Sequence, residues 1–377
     1  MRCILWIRCI LCFFWIITYS YGSQSTKVSP LAEANVTASW HIFPFDKKKI
    51  FFALAPIYGS LSDGGANATG FAEVAQTNGI TKNYVPKVGI NWGYQASLGY
   101  ALSPDYRYAL LTTFFSLGGA RTTSINMSNG STLFNALTQL GTIGDSSNLG
   151  FSTFIDNAKA DSTASIIYQR LDFKLQEPWS LKDDPADIFH FYKIKGLMLA
   201  RINKVLSGYY TGDIYTGSGI SPGTDSMLYG SNSFGIGPEI GLLAYAHVCD
   251  RLKIRVEGDS AFLIGYFNSH YREYGTSQLN VDVGHIAGNS FSNIENHPSA
   301  SWTPIFFDAQ STLVATLWKS NKYLSVLTGE GGIGVEYILP TFTGDVIKQS
   351  LGNPLIKFNN NLSVSYIIMR LALTGDL

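Results

Sequence analysis

Cysteine is nearly missing from this chain. Three of its four cysteines, Cys3, Cys9 and Cys12, sit in the first twelve residues, which leaves Cys249 for the rest. One thiol in so long a chain excludes a disulfide scaffold and a cysteine-ligated zinc centre. Charge is scarce too: Asp, Glu, Lys and Arg make up 14% of residues, against about 25% in ordinary soluble proteins. The 27 basic residues balance the 27 acidic ones, so no electrostatic footprint for nucleic acid exists. Beyond residue 22 there is no run of about 18 apolar residues and therefore no membrane-spanning helix. A mature chain that crosses a bilayer must do so with strands. The sequence also lacks G-x-S-x-G, H-E-x-x-H and a phosphate-binding Gly-Lys motif, so no enzyme activity, cofactor or metal is expected.

What is present begins with residues 1–22. Arg2 is followed by an apolar stretch through Leu11, Phe13, Phe14, Trp15, Ile16 and Ile17. Ser20 and Gly22 then stand at −3 and −1 of a cleavage site. This is the pattern of a secretory signal peptide. Residues 23–47, rich in Ser, Thr, Ala and Pro, read as an exposed N-terminal extension, and residues 48–377 as one β domain. Aromatics reach 14%, with 23 Phe and 21 Tyr, and there are 37 Gly.

The stretch from Asn232 to Asn268 carries the clearest period. Leu252, Ile254, Val256, Phe262, Ile264 and Tyr266 alternate with Lys253, Arg255, Glu257 and Asp259. A strand sends successive side chains to opposite faces, so this arm has one apolar and one charged side. The arm before it alternates in the same way through Phe234, Ile236, Ile240, Leu242, Ala244 and Val248, and a tight turn at Cys249-Asp250 joins the two. Further strands read as Ile50–Ser60, Val88–Leu102, Tyr106–Leu117, Thr163–Gln176, Phe189–Asn203, Thr303–Trp318, Tyr323–Tyr337 and Asn361–Leu373. Polar stretches at about 118–162, 205–231 and up to about Ser301 read as long loops.

Short connections follow the second, fourth, sixth and eighth strands, and long ones follow the first, third, fifth, seventh and ninth. That rhythm is the wiring of an outer-membrane barrel, with short periplasmic turns and longer extracellular loops. The expected fold is therefore all-β: a transmembrane antiparallel up-and-down barrel of about ten strands, within a range of about 8–14. Pro56 and Pro238 each delete a ladder hydrogen bond, so a bulge or rim position is expected at both. Arg370 shares parity with Leu362, Val364, Tyr366 and Ile368, so a bulge or early strand end is expected there as well.

Val88–Leu102 leading into Ser103-Pro104-Asp105, the Tyr168–Leu175 strand and the run Phe234-Gly235-Ile236-Gly237-Pro238-Glu239-Ile240-Gly241-Leu242 resemble the Legionella-type major outer-membrane protein family. That resemblance implies a pore-forming barrel in a bacterial outer membrane. It also implies a porin-like function, the passive diffusion of ions or small polar solutes.

On the strand reading, the charged residues that share the inner face are Lys87, Arg107, Arg170, Asp172, Lys174, Lys193, Lys195, Arg201, Glu239, Lys253, Arg255, Glu257, Asp259, Asp308, Glu330 and Glu336. On the lipid face near the midplane a Lys or Arg would cost about 2–4 kcal/mol, which is the reason for turning them inward. They either line a hydrated lumen or pair to fill a closed one. Ten strands lie near the narrow end, since about eight leave room only for side chains and 16–18 make an aqueous channel. The competing readings are a plugged barrel serving as a surface-structural protein or adhesin, and a rim enzyme using Asp282, His285 and Glu295. Outer-membrane lipid and small solutes are the expected partners. Cys249 is either an inert turn residue or a thiol that crosslinks a homo-oligomer.

Overall fold

The computed structural model describes residues 49–63, 72–75, 81–84, 88–102, 108–127, 132–135, 153–179, 189–216, 219–249, 251–279, 288–296, 299–319, 324–340 and 362–376. The expected signal peptide and N-terminal extension lie outside them. Every regular element among the described residues is a strand: β1 (Lys49–Asp63), β2 (Ala72–Ala75), β3 (Thr81–Tyr84), β4 (Ile90–Ala101), β5 (Ala109–Asn126), β6 (Thr132–Asn135), β7 (Thr153–Pro178), β8 (Phe189–Thr216), β9 (Gly219–Cys249), β10 (Leu252–Phe262), β11 (Ile264–Leu279), β12 (Gly288–Asn296), β13 (Ser299–Trp302), β14 (Pro304–Lys319), β15 (Leu324–Pro340) and β16 (Leu362–Asp376).

These strands build a closed antiparallel barrel of ten staves. β10 and β11 are two parts of one stave, and β12, β13 and β14 are parts of the next. The last stave pairs with the first, Lys49 opposite Asp376 and Asp63 opposite Leu362. Short β2, β3 and β6 form a side patch joined to β7. Following cross-strand partners once round the wall from Ser62, through Tyr337, Ser260, Lys195 and Leu110, returns to Ile50, a stagger of 12 residues. With the usual strand rise and spacing, that stagger on ten staves sets a tilt of about 40° and a wall radius of about 10 Å.

The exterior is apolar. Phe52, Leu54, Tyr58, Trp92, Tyr94, Leu98, Ile240, Leu242, Ile264, Ile333, Ile367 and Leu371 all stand exposed there, while their sequence neighbours Phe51, Ala53, Gln95, Glu239 and Ile368 are buried in the interior. This inside-out pattern is the one a bilayer selects. Tyr58 and Trp92 meet on adjacent staves with ring centroids 4.9 Å apart, as expected of an aromatic girdle.

Both prolines are accommodated without the expected bulges. The rungs between β1 and β16 stop at Leu54 and resume at Ile57 in unchanged register, so the missing N–H of Pro56 costs rungs and no realignment. The rungs of β9 stop at Glu239, opposite Ala261, and resume at Ile236, opposite Ile264, in unchanged register, so Pro238 falls in the gap that spans the one-residue break at Leu263. At that break the Leu263 N–H donates to Pro304 O at 3.0 Å. Gly237 beside it is required for closeness, since a Cβ there would lie 1.8 Å from Phe262 O.

Several expected loops are strand. Residues 205–231 fall largely in β8 and β9, which run for 28 and 31 residues. β5 continues to Asn126, and β7 starts at Thr153. β11, β12 and β13 occupy much of the polar stretch before Ser301. Above the lipid, outward positions no longer need to be apolar. The hydrophobic alternation therefore fades while the hydrogen-bond ladder goes on.

Candidate functional site

The inner face is built in layers, taken here from the end that carries both termini. At that end Ile194, Leu243 and Tyr245 pack together with Tyr192. Above them lies a belt of buried charge. Arg170 projects inward from β7 and meets Asp172 at 2.9 Å, Asp308 of β14 at 3.1 Å and Glu336 of β15 at 2.9 Å. Lys174, two inward positions lower on β7, meets Glu239 of β9 at 3.2 Å and Glu257 of β10 at 3.0 Å, and also pairs with Asp259. Arg255 pairs with Glu257 and lies 3.6 Å from Glu330. Arg370 donates to Glu330 at 2.9 Å and to Gln95 of β4 at 2.9 Å.

These pairs cross the lumen. β7 and β14 lie on different sides of the ring, and Arg170 bridges them. The side chain of Arg170 is only 3% exposed, and those of Asp172 and Glu336 are 0% exposed. The surrounding side chains shield the centre of the belt from bulk solvent. Isolated charges at such depth would be prohibitive, so each must hold partners. In these pairs four cations face seven carboxylates, and Arg170, Lys174 and Arg255 are each shared among two or three of them.

An aromatic layer closes over the belt. The Arg170 guanidinium sits 5.5 Å from the Phe115 ring centroid and 5.2 Å from that of Phe306, within cation–π range. Phe115 in turn contacts Tyr168 and Tyr366 at 5.6 and 5.2 Å between centroids. The cluster around them takes buried side chains from β1, β5, β7, β8, β9, β11, β14, β15 and β16 at once. The cluster thus draws side chains inward from most of the ring.

The sequence expectations divide cleanly. Arg170, Asp172, Lys174, Glu239, Lys253, Arg255, Glu257, Asp259, Asp308, Glu330 and Glu336 point inward, and all but Arg255 and Glu330 are classed among the buried residues. Lys87, Arg107, Asp282 and His285 lie outside the described residues. Lys193, Lys195 and Arg201 are corrections, because they stand on the outer face of β8, whose inner face carries Ile194, Met198, Ala200 and Ile202. Both faces of this strand are largely apolar, so the rule that charge points inward picked the wrong one. These cations escape the penalty by finding outer-face partners. Lys195 meets Glu177 at 2.8 Å, Lys193 lies 4.9 Å over the Trp179 ring, and Arg201 donates to Asn232 at 3.2 Å.

Arg370 and Gln95 are belt members that the sequence reading missed. Arg370 faces inward together with Leu362, Val364, Tyr366 and Ile368, and no bulge interrupts that parity on the β1 side. The apolar residues beside it suggested the lipid face, although the single charge was the better guide. Cys249 is an exposed free thiol at the lower end of β9. Among the described residues, no group of three or more His, Cys, Asp and Glu side chains is placed to hold a metal ion.

No protein-family model matches the chain, and no curated protein matches it. Among solved structures it is similar to the outer-membrane protease OmpT from Escherichia coli, at 12% identity over 89% of this chain and 98% of that one, with a TM-score of 0.38. It is also similar to the TodX deltaS2S3 mutant monoaromatic hydrocarbon channel, at 9% identity over 93% and 95% of the two chains, TM-score 0.24. A Pseudomonas aeruginosa FadL homologue matches at 8% identity over 88% and 90%, TM-score 0.25. Scores this low add nothing to what the strand pairing already establishes, a ten-stave transmembrane barrel.

Proposed function

We propose that this chain is a bacterial outer-membrane barrel, related to the Legionella-type major outer-membrane proteins, whose lumen is closed at rest. It works through the part of its wall that stands outside the bilayer, as a surface-structural or adhesive protein. The buried ion cluster at Arg170, with its three carboxylate partners and two flanking rings, is the observation that carries this reading. Height supports it. The 31 residues of β9 rise about 75 Å at this tilt, roughly three times the apolar band of about 25 Å. Most of the surplus stands beyond the membrane.

The second reading is a narrow gated pore for ions and small polar solutes. It is favoured by the sharing of Arg170, Lys174 and Arg255 among two or three acids each, which lets partners exchange without leaving a charge alone. The excess of carboxylates would make such a pore prefer cations.

Liposome swelling with sugars of graded size separates the two. Refolded protein that runs heat-modifiably on a gel and admits no sugar is the expected result. Swelling with the smaller sugars would overturn the closed barrel and establish the pore.

A further inference from the structure

A groove of about 690 Å³ runs over the outer face of the barrel. Its floor is made by small outward residues on adjacent staves, Gly258, Ser260 and Ala309, and its sides by Ile240, Phe307 and Tyr337. Gly258 lies opposite Ala309, and Ser260 opposite Phe307. A Cβ at Gly258 would find only Asp308 O, at 3.8 Å, so the groove exists because a side chain is missing there.

One end of the groove reaches Trp179, Lys193 and Lys195. Both lysines sit inside the apolar band of β8: Phe191 is exposed below them and Leu197 above. Lysines so placed must bend their ammonium groups to the nearest polar edge. They bend toward the end that carries the termini. Lys193 Nζ lies over Trp179, the last described residue after β7, and Lys195 Nζ meets Glu177. Among the described residues, two cations and one carboxylate leave that edge net positive, directly below an apolar channel.

We propose that this groove binds an anionic glycerophospholipid of the periplasmic leaflet. The phosphate lies against Lys193 and Lys195 beside the Trp179 ring, and an acyl chain lies along Gly258, Ser260 and Ala309. A zwitterionic lipid offers the same chain but cancels its own phosphate, so the lysines select for net negative charge. The word periplasmic rests on the outer-membrane reading given above.

The test is native mass spectrometry of the full-length protein, released from detergent after incubation with phosphatidylglycerol or phosphatidylcholine. The wild type is expected to retain one phosphatidylglycerol in preference to phosphatidylcholine. Lys193→Gln and Lys195→Gln should each lower phosphatidylglycerol retention about five-fold and leave phosphatidylcholine unchanged. Gly258→Trp, which fills the channel, should lower retention of both. Heat-modifiable migration of every variant keeps a lost lipid distinct from a lost barrel, and the swelling assay fails or succeeds independently. Equal retention of the two lipids by the wild type would overturn the proposal, as would lysine variants that bind like the wild type. A lipid-free dimer broken by Gly258→Trp would also overturn it and assign the groove to a second copy.

Discussion

Arg170 is the residue on which most of the interior depends. Its guanidinium answers Asp172, Asp308 and Glu336 from a buried position between two aromatic rings. Removing one partner of a buried ion pair typically costs about 3–5 kcal/mol, whereas replacing the whole set with neutral groups costs far less. Arg170→Met should therefore lower stability to urea in lipid vesicles by about that amount. Adding Asp172→Asn, Asp308→Asn and Glu336→Gln should restore most of the loss. A single variant that unfolds within 1 kcal/mol of wild type would show that the belt is not fully dry (about 0–1 kcal/mol being the worth of exposed pairs). Gly237 makes a sharper steric case. Alanine there would put a Cβ 1.8 Å from Phe262 O, and crowding of this kind costs about 1–3 kcal/mol. Gly331→Ala, at a position with nothing within 4 Å, is expected to leave the urea midpoint unchanged.

At the scale of the element, β8 shows how far alternation can be read from sequence. β7 and β10 put charges on one face and Leu, Ile, Val or Phe on the other, so their orientation was legible from parity alone. β8 has apolar residues on both faces, and its cations lie where they can reach Glu177, Trp179 and Asn232. Those partners belong to neighbouring staves, and no reading of β8 by itself could supply them. The upper halves of β8 and β9 were hidden for another reason. Beyond the bilayer, Tyr209 remains outward and Tyr210 inward, but polar residues occupy both faces and the period disappears. Cysteine labelling tests this element directly. In a Cys249→Ser background, Tyr209→Cys should react with a membrane-impermeant maleimide on intact cells, and Tyr210→Cys should stay unreacted. Equal reaction at both sites would mean that 205–231 is a loop after all.

For the whole molecule, stagger and side-chain size together bear on the proposed closed lumen. A wall of about 10 Å radius leaves a space that arginine, phenylalanine, tyrosine and tryptophan can span, and the inner face supplies all four in Arg170, Phe115, Tyr168 and Trp302. The number of staves and their up-and-down order were legible from the short and long connections. Whether inward charges line water or pair across the lumen was not. That outcome depends on which residues meet from staves more than a hundred positions apart, as Arg170 and Asp308 do. Single-channel recording in planar bilayers tests the closed lumen most directly. Folded wild-type protein is expected to leave the membrane current at baseline, without discrete steps. Steady, ohmic steps from heat-modifiable wild-type protein would contradict it, since ions would then be crossing the level at which Arg170 meets its three carboxylates.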